Sequence, residues 1–194
     1  MSRIQLSDKD ALIIVDVQKD FLPGGNLPVP NGDQIVPVIN EYIERFHHKG
    51  RPIFATRDWH PLKHCSFVEQ GGPWPEHCVA YTEGATFAPG LKLPSDVIVI
   101  SKGSSLEQDA YSGFQSTDLD NQLRGLTIER LFIGGLALDV CVLNTVMDAI
   151  QHGFRVFLLE DATYAVNAEV GNGEKAIAEM KTRGTQPLTL EQLA

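Results

Sequence analysis

The sequence predicts an α/β protein in which a parallel sheet is flanked by helices. Apolar runs of strand length alternate along the chain with segments that carry apolar residues at helical spacing. The first run, residues 11–15, is almost continuously apolar, which is typical of a strand buried on both faces. The length of 194 residues, 43% of them hydrophobic, suits a single domain over residues 1–194 with one sizeable core.

The elements follow one another in a regular order. The predicted strands are residues 11–15, 52–56, 97–100, 131–134, 155–159 and a short sixth at 186–188. The predicted helices are residues 32–48, 141–151 and 173–182, and the first of them stops at Gly50. Residues 184–194 carry little pattern, and we expect a short helix at their end.

Composition excludes several classes of protein. Sixteen basic and twenty-five acidic residues give a formal charge of −9, the wrong sign for a nucleic-acid partner. The longest apolar runs are far shorter than the roughly 20 residues of a membrane-spanning helix, so we expect no membrane partner. The first ten residues are polar, and Asp8 and Asp10 stand where a secretory signal has its apolar stretch. We therefore expect a cytoplasmic protein.

Three cysteines, Cys65, Cys78 and Cys141, form an odd set in a chain with no recognised export signal. This argues against a disulfide framework and leaves at least one thiol free. A single cysteine is most often a small buried hydrophobe, so only its surroundings can indicate chemistry.

The connection over residues 60–94 spans about 35 residues, well beyond the usual length, and such loops are commonly functional or disordered. Its composition decides between the two. The loop and its flank contain aromatic and imidazole side chains, namely Trp59, His60, His64, Phe67, Trp74 and His77. A segment so rich in aromatic residues is not typical of disorder, so we interpret it as functional.

Reactive side chains follow four of the predicted strands. Asp16 follows the first, Asp58 and His60 the second, Lys102 the third, and Cys141 lies just beyond the fourth. Because ligands of an open parallel sheet bind at the carboxyl ends of its strands, we expect these side chains to converge.

Five motifs surround these residues. They are VDVQKDFLPGG at 15–25, RDWHP at 57–61, GGPWPEHCV at 71–79, SKG at 101–103 with DAYSGF at 109–114, and GGLALDVCV at 134–142. In these motifs, from about Asp10 to Val166, the chain resembles the isochorismatase-like cysteine hydrolases and, among them, the nicotinamidase branch. It departs from the commoner pattern at Leu138, where threonine is frequent, and at Val140, where an aromatic residue is frequent.

The resemblance implies a Rossmann-like fold with a six-stranded, mostly parallel sheet, and a catalytic set of Asp16, Lys102 and Cys141. The chemistry is consistent with this. A thiol with a pKa near 8.5 is mostly protonated at neutral pH, and only the thiolate is a good nucleophile. A helix start at Cys141 and the charge of Lys102 would both favour the thiolate. Asp16 would take the thiol proton and later return it to the departing amine.

The resemblance also implies how the oxyanion is stabilised. It implies a cis peptide between Leu136 and Ala137 that directs the backbone N–H groups of Ala137 and Cys141 at the substrate oxygen.

A metal site is expected near the second strand. Asp58 and His60 are two residues apart, which places them on one side of an extended segment, and His77 approaches from the loop. One carboxylate and two imidazoles suit a divalent metal, with zinc first and iron or manganese as alternatives. We interpret His64 as a supporting residue or an optional ligand.

Cys65 and Cys78 lie beside the expected ligands in sequence, and coordination by them would indicate a structural metal site instead. Three further carboxylates, Asp20, Asp139 and Asp161, are interpreted as capping or packing residues.

The substrate implied by the resemblance is a small aromatic amide. Phe21, Trp74 and Tyr111 would enclose its pyridine ring, while the ring nitrogen approaches the metal; ordinary core packing is the alternative for each ring. We therefore expect hydrolysis of nicotinamide to nicotinate and ammonia through a thioester on Cys141, with pyrazinamide as a second substrate. A homo-oligomer is compatible with the sequence.

Three other functions remain open at this stage. An amidase of the same family that acts on a carbamoyl or ureido group would keep Asp16, Lys102 and Cys141 without needing the metal ligands. An isochorismatase would have no need of Cys141. A non-catalytic binding protein on the same fold would be expected to lack one of the three catalytic residues, and none is missing.

Overall fold

The computed structural model describes residues 3–194, so the first two residues of the domain expected over 1–194 lie outside the described range. Six strands form one sheet in the order β3-β2-β1-β4-β5-β6, and every neighbouring pair is parallel. The strands are β1 (Asp10–Val15), β2 (Ile53–Asp58), β3 (Ile98–Lys102), β4 (Arg130–Leu136), β5 (Arg155–Tyr164) and β6 (Gln186–Leu188). The predicted α/β class and six-stranded sheet are confirmed.

Helices cover both faces of the sheet. They are α1 (Ile35–His48), α2 (Leu119–Gly125), α3 (Leu143–Gln151) and α4 (Asn172–Thr182). Leu12 and Ile14 of β1 belong to the apolar cluster that contains α1, whereas Ile13 belongs to the cluster on the other side, with α2, α3 and α4. Alternate residues of β1 therefore pack against opposite layers, as its continuous apolar character predicts.

The structure corrects several predicted boundaries. β2, β3, β4 and β5 run two to five residues past their apolar runs, because the backbone ladder continues where polar or small side chains follow. A single turn of 3-10 helix, Gly32–Gln34, precedes α1, and another, Leu190–Gln192, forms the short helix expected near the end of the chain. Helix α2 was not predicted, because only Leu119 and Leu123 of its seven residues are buried.

The strand order creates a crevice at the carboxyl end of β1. The chain leaves β1 toward β2 on one side, and β4 later pairs with its other side. This change of direction is the place where open α/β sheets bind ligands. None of the helices in residues 3–194 combines the length and the hydropathy needed to span a bilayer.

Close approach of β4 to β1 at this crevice requires a glycine. Gly135 has a φ of +128°, and a Cβ atom there would lie 2.1 Å from the carbonyl oxygen of Val15. A side chain at this position would therefore meet rigid backbone in a conformation that L residues rarely adopt.

We expect Gly135→Ala to lower the free energy of unfolding by at least about 2 kcal/mol, because the methyl group has no space and the backbone cannot relax. Urea denaturation followed by circular dichroism measures the change. Gly125→Ala is the matched control, since a Cβ there meets nothing within 4 Å. Equal stability of the two variants would contradict the conclusion that position 135 has no space for a side chain.

Candidate active site

The ammonium of Lys102 is the centre of the site. Its Nζ lies 2.9 Å from Oδ2 of Asp16, 2.5 Å from Oδ1 of Asp58 and 3.6 Å from Sγ of Cys141. It also donates a hydrogen bond of 3.1 Å to the carbonyl oxygen of Ala110. The side chains that follow β1, end β2 and β3, and lie beyond β4 therefore converge, as the strand-end pattern predicts.

Asp16 is held in place by its neighbour on β2. Its backbone turns sharply after β1, with a φ of +48°, and its amide donates to the carbonyl oxygen of Thr56 at 3.2 Å. The hydroxyl of Thr56 donates to Oδ1 of Asp16 at 2.6 Å. Burial raises the pKa of the Asp16 carboxyl, although the ammonium of Lys102 opposes the shift. A carboxylate with a raised pKa is suited to accepting and returning a proton.

The pKa values of Lys102 and Cys141 are both raised, which leaves the lysine charged and the thiol protonated. Burial alone would lower the pKa of Lys102, but the carboxylates of Asp16 and Asp58 outweigh it, so the pKa lies well above its usual value and the side chain stays charged. Burial raises the pKa of the Cys141 thiol, against the attraction of Lys102. Its Sγ lies within 4.8 Å of a carboxylate oxygen of Asp16, so a proton acceptor is close to the protonated thiol.

The sequence predicted a helix that begins at or near Cys141, and the structure differs in how that helix begins. Cys141 lies in a π-helical turn, Leu138–Val142, that leads into α3. The carbonyl oxygen of Ala137 accepts hydrogen bonds from the amides of Val140 and Val142 at 3.1 and 3.0 Å, which tightens this turn. Two bonds to one carbonyl fit the wider turn better than a simple α-helical start, and sequence periodicity does not reveal it.

The peptide bond between Leu136 and Ala137 is cis, as the resemblance implied. Ala137 and Cys141 both line the cavity of the candidate site. Their role as oxyanion donors remains a prediction.

Asp58, His60 and His77 form a compact cluster. Oδ2 of Asp58 lies 3.6 Å from Nε2 of His60 and 3.9 Å from Nε2 of His77. The Nδ1 atoms point outward, at 2.9 Å from the carbonyl oxygen of Gly103 for His60 and at 2.7 Å from that of Pro75 for His77. Such carbonyl contacts fix the ring orientation and leave Nε2 free to bind a metal.

The cluster fits a divalent metal. Nε2 of His60 is buried and has no hydrogen-bond partner within residues 3–194, which is costly unless an ion or another ligand meets it. Burial would raise the pKa of Asp58, but Lys102 and His60 outweigh it and lower the pKa, so the carboxylate is ionised. One carboxylate and two imidazoles are a donor set for zinc, iron or manganese.

His64 lies behind the cluster. Its ring stacks on that of His60, with centroids 4.2 Å apart. Its Nδ1 lies 2.7 Å from the hydroxyl of Ser66, and its Nε2 lies 3.3 Å from the carbonyl oxygen of Gln108. Both nitrogens face away from the cluster, so this conformation makes His64 a support for His60 rather than a ligand.

The remaining cysteines stay outside the cluster. All three cysteines are free, which agrees with the absence of a disulfide framework in the sequence analysis. Cys78 is buried, and its amide donates to Oδ2 of Asp20 at 2.7 Å. Among the described residues, neither Cys65 nor Cys78 joins the ligand cluster, so the geometry does not favour a structural site with thiolate ligands.

An aromatic cavity connects the cluster to Cys141. Phe21, Trp74 and Tyr111 all line it, as predicted. Nε1 of Trp74 donates to the hydroxyl of Tyr111 at 3.0 Å, which joins two separate loops above the cavity. Six lining residues were not among the site residues predicted from the sequence: Leu27, Val29, Asp109, Ala110, Val140 and Val166. A small flat molecule fits such a lining.

Sequence reasoning also missed Gln18, which positions Asp58. The side-chain amide of Gln18 donates to the backbone oxygen of Asp58, and its oxygen accepts from the Asp58 amide, both at 2.8 Å. The available signal was a polar residue two positions after Asp16, within the first motif. By contrast, Asp20 and Asp139 accept backbone N–H bonds, which agrees with the capping role assigned to them.

Comparison with known proteins finds similarity to one family. The sequence model of that family, described as the isochorismatase domain, matches residues 10–192 of this chain. A nicotinamidase of Escherichia coli (strain K12) is 38% identical over 93% of this chain and 94% of that protein.

Solved structures give the same picture. The crystal structure of a pyrazinamidase of Pyrococcus horikoshii in complex with zinc has a TM-score of 0.90 and 50% identity, and it covers 94% of this chain and 99% of that one. The L. infantum protein PnC1 in complex with nicotinate has a TM-score of 0.90 and 39% identity, and it covers 99% of this chain and 98% of that one.

The geometry of the three histidines predicts different effects on metal binding. We expect His60→Ala and His77→Ala to abolish stoichiometric binding of a divalent ion, because each removes a ligand. His64→Ala should keep the stoichiometry and weaken the affinity by about 10- to 100-fold at most, as for other supporting residues. Titration with zinc against a chromophoric chelator measures both quantities. Loss of stoichiometric binding in folded His64→Ala would show that His64 is a ligand.

Proposed function

The chain belongs to the isochorismatase family, on its nicotinamidase branch, and we propose that it is a metal-containing amidohydrolase that converts nicotinamide to nicotinate and ammonia. The observation that carries the proposal is the contact of Lys102 with Asp16, Asp58 and Cys141. That contact supports the roles of nucleophile for Cys141, proton acceptor for Asp16 and stabilising cation for Lys102, beside a cluster that could hold a metal ion.

The cavity supports an aromatic amide as the substrate. The rings of Phe21, Trp74 and Tyr111 would hold a pyridine ring by stacking and burial. A divalent ion held by Asp58, His60 and His77 would supply a Lewis acid that binds and orients the ring nitrogen. The similar proteins named above act on nicotinamide or pyrazinamide or bind nicotinate, which supports the same substrate class for this chain.

The first half of the reaction forms a thioester. Asp16 takes the proton of the Cys141 thiol, Lys102 stabilises the thiolate, and Sγ forms a bond to the carboxamide carbon. Backbone N–H groups of Ala137 and Cys141 stabilise the resulting oxyanion. When the carbonyl re-forms, the C–N bond breaks, the proton on Asp16 passes to the nitrogen, and ammonia leaves.

The second half restores the protein. Water attacks the thioester carbon, and Asp16 accepts the proton of this water. The C–S bond breaks, the Cys141 thiolate takes the proton back from Asp16, and nicotinic acid leaves and gives its remaining proton to ammonia or bulk water as nicotinate forms. One water is consumed for each amide hydrolysed, and the donors of the oxyanion site serve both halves.

The alternatives are less consistent with the site. A carbamoyl or ureido amidase would use the same three catalytic residues but would leave the cluster of Asp58, His60 and His77 without a purpose. An isochorismatase would not need the thiol of Cys141, which lies 3.6 Å from the Lys102 ammonium. A binding protein without activity would not be expected to keep the whole arrangement.

We expect Cys141→Ala to reduce ammonia release from nicotinamide by about 10³-fold or more, because no other group in the cavity can form the thioester. A coupled ammonia assay measures the rate. Cys65→Ala is the matched control and should remain active, since its thiol lies outside the cavity lining. Activity retained in Cys141→Ala would overturn the thioester mechanism.

The metal cluster predicts selectivity among amides. We expect nicotinamide and pyrazinamide to be hydrolysed with a kcat/KM at least about 10²-fold higher than benzamide, which has the same ring size without a ring nitrogen. An N-carbamoyl amino acid should be slower still, because it cannot stack in the aromatic cavity. Steady-state kinetics on this panel test the proposal, and a preference for the carbamoyl compound would favour the alternative amidase.

A further inference from the structure

The proposed hydrolysis requires the cavity to distinguish its substrate from its product, and the role inferred here for Asp109 rests on that function. Nicotinamide and nicotinate have almost the same shape, since only an amide nitrogen is exchanged for an oxygen. A pocket that fits one therefore fits the other, and shape cannot favour release of the product. Charge differs, because the substrate is neutral and the product carries a carboxylate.

The side chains around the cavity carry a negative balance. Two carboxylates, those of Asp58 and Asp109, line it, and no lysine or arginine of the described chain does. The ammonium of Lys102 lies close by but already contacts the carboxylates of Asp16 and Asp58. Asp58 is thus compensated by Lys102 and by any bound metal, whereas Asp109 is not.

Asp109 is positioned without a cation. Its Oδ1 accepts a hydrogen bond from the amide of Ala110 at 2.9 Å, and the residue lines the cavity together with Tyr111. The hydroxyl of Tyr111 accepts a hydrogen bond from Nε1 of Trp74 at 3.0 Å. Within residues 3–194, no basic side chain forms an ion pair with Asp109, which is half-buried. A fixed negative charge therefore sits on the aromatic wall.

We propose that Asp109 determines specificity by lowering the affinity of the cavity for the anionic product relative to the neutral amide. Its carboxylate repels a carboxylate ligand through a partly desolvated cavity, where the interaction is stronger than in water. A neutral carboxamide does not experience this repulsion. Asp109 thus favours the exchange of nicotinate for a new substrate molecule without taking part in bond making or breaking.

The test measures binding in a Cys141→Ala background, in which the proposed reaction cannot occur. The dissociation constants of nicotinamide and nicotinate are obtained from quenching of tryptophan fluorescence, with the same divalent metal bound throughout. We expect Asp109→Asn, which keeps the shape and removes the charge, to lower the ratio of the nicotinate Kd to the nicotinamide Kd by about three- to tenfold.

Two further variants make the result specific to charge. Asp109→Glu keeps the negative charge and should leave the ratio within about twofold of the starting value. Asp109→Ser is a second neutral replacement that should lower the ratio like Asp109→Asn, and it replaces that variant if the asparagine prevents folding. An unchanged or increased ratio in the neutral variants, or an equal fall in Asp109→Glu, would overturn the proposal.

Product inhibition provides the same comparison in the protein with Cys141 intact. The inhibition constant of nicotinate should fall in Asp109→Asn by the factor seen in the binding ratio. If the Cys141-containing protein neither binds nor hydrolyses nicotinamide, the proposed function itself fails. If it hydrolyses nicotinamide and the ratio does not move, only the role of Asp109 fails.

Discussion

An ammonium ion in a protein interior must be paired, because burying an isolated charge costs on the order of several kcal/mol. Lys102 meets this requirement by contacting carboxylates that belong to two different strands, Asp16 after β1 and Asp58 at the end of β2. The pairing fixes the ends of three neighbouring strands relative to one another. It also joins Cys141 and the histidine cluster in one arrangement, since Asp58 presents one oxygen to Lys102 and the other to His60 and His77.

The convergence of Asp16, Asp58 and Lys102 could be predicted, because parallel strands end at the same edge and adjacent strands bring their ends together. The direct contact of Asp58 with Lys102 could not, since it depends on the register that places the two residues opposite each other. Helix α2 escaped detection because a short polar segment has too little periodicity to stand out.

The residues of the cavity walls show a second limit of prediction from the sequence. Trp74 and Tyr111 come from loops on either side of β3, and no spacing in the sequence shows that their side chains meet. The same holds for Gly103, whose carbonyl orients His60. A Cβ atom at Gly103 would lie 2.5 Å from Cε1 of that ring, so the glycine after Lys102 also leaves space for the His60 imidazole. Motif residues can therefore be placed in advance, whereas the contacts between loops require the fold.

The position of Lys102 at the rim of the sheet has a consequence for how the chain can vary. β3 is the outermost strand on its side, so its alignment is fixed by β2 alone. Neighbouring residues of a strand point to opposite faces, and a slip of one place would present Ser101 or Gly103 where the ammonium now lies. Because such a slip would also turn the buried Ile100 outward, the connection between the two strands, which carries His60 and His77, tolerates insertions only where the register of β3 stays unchanged.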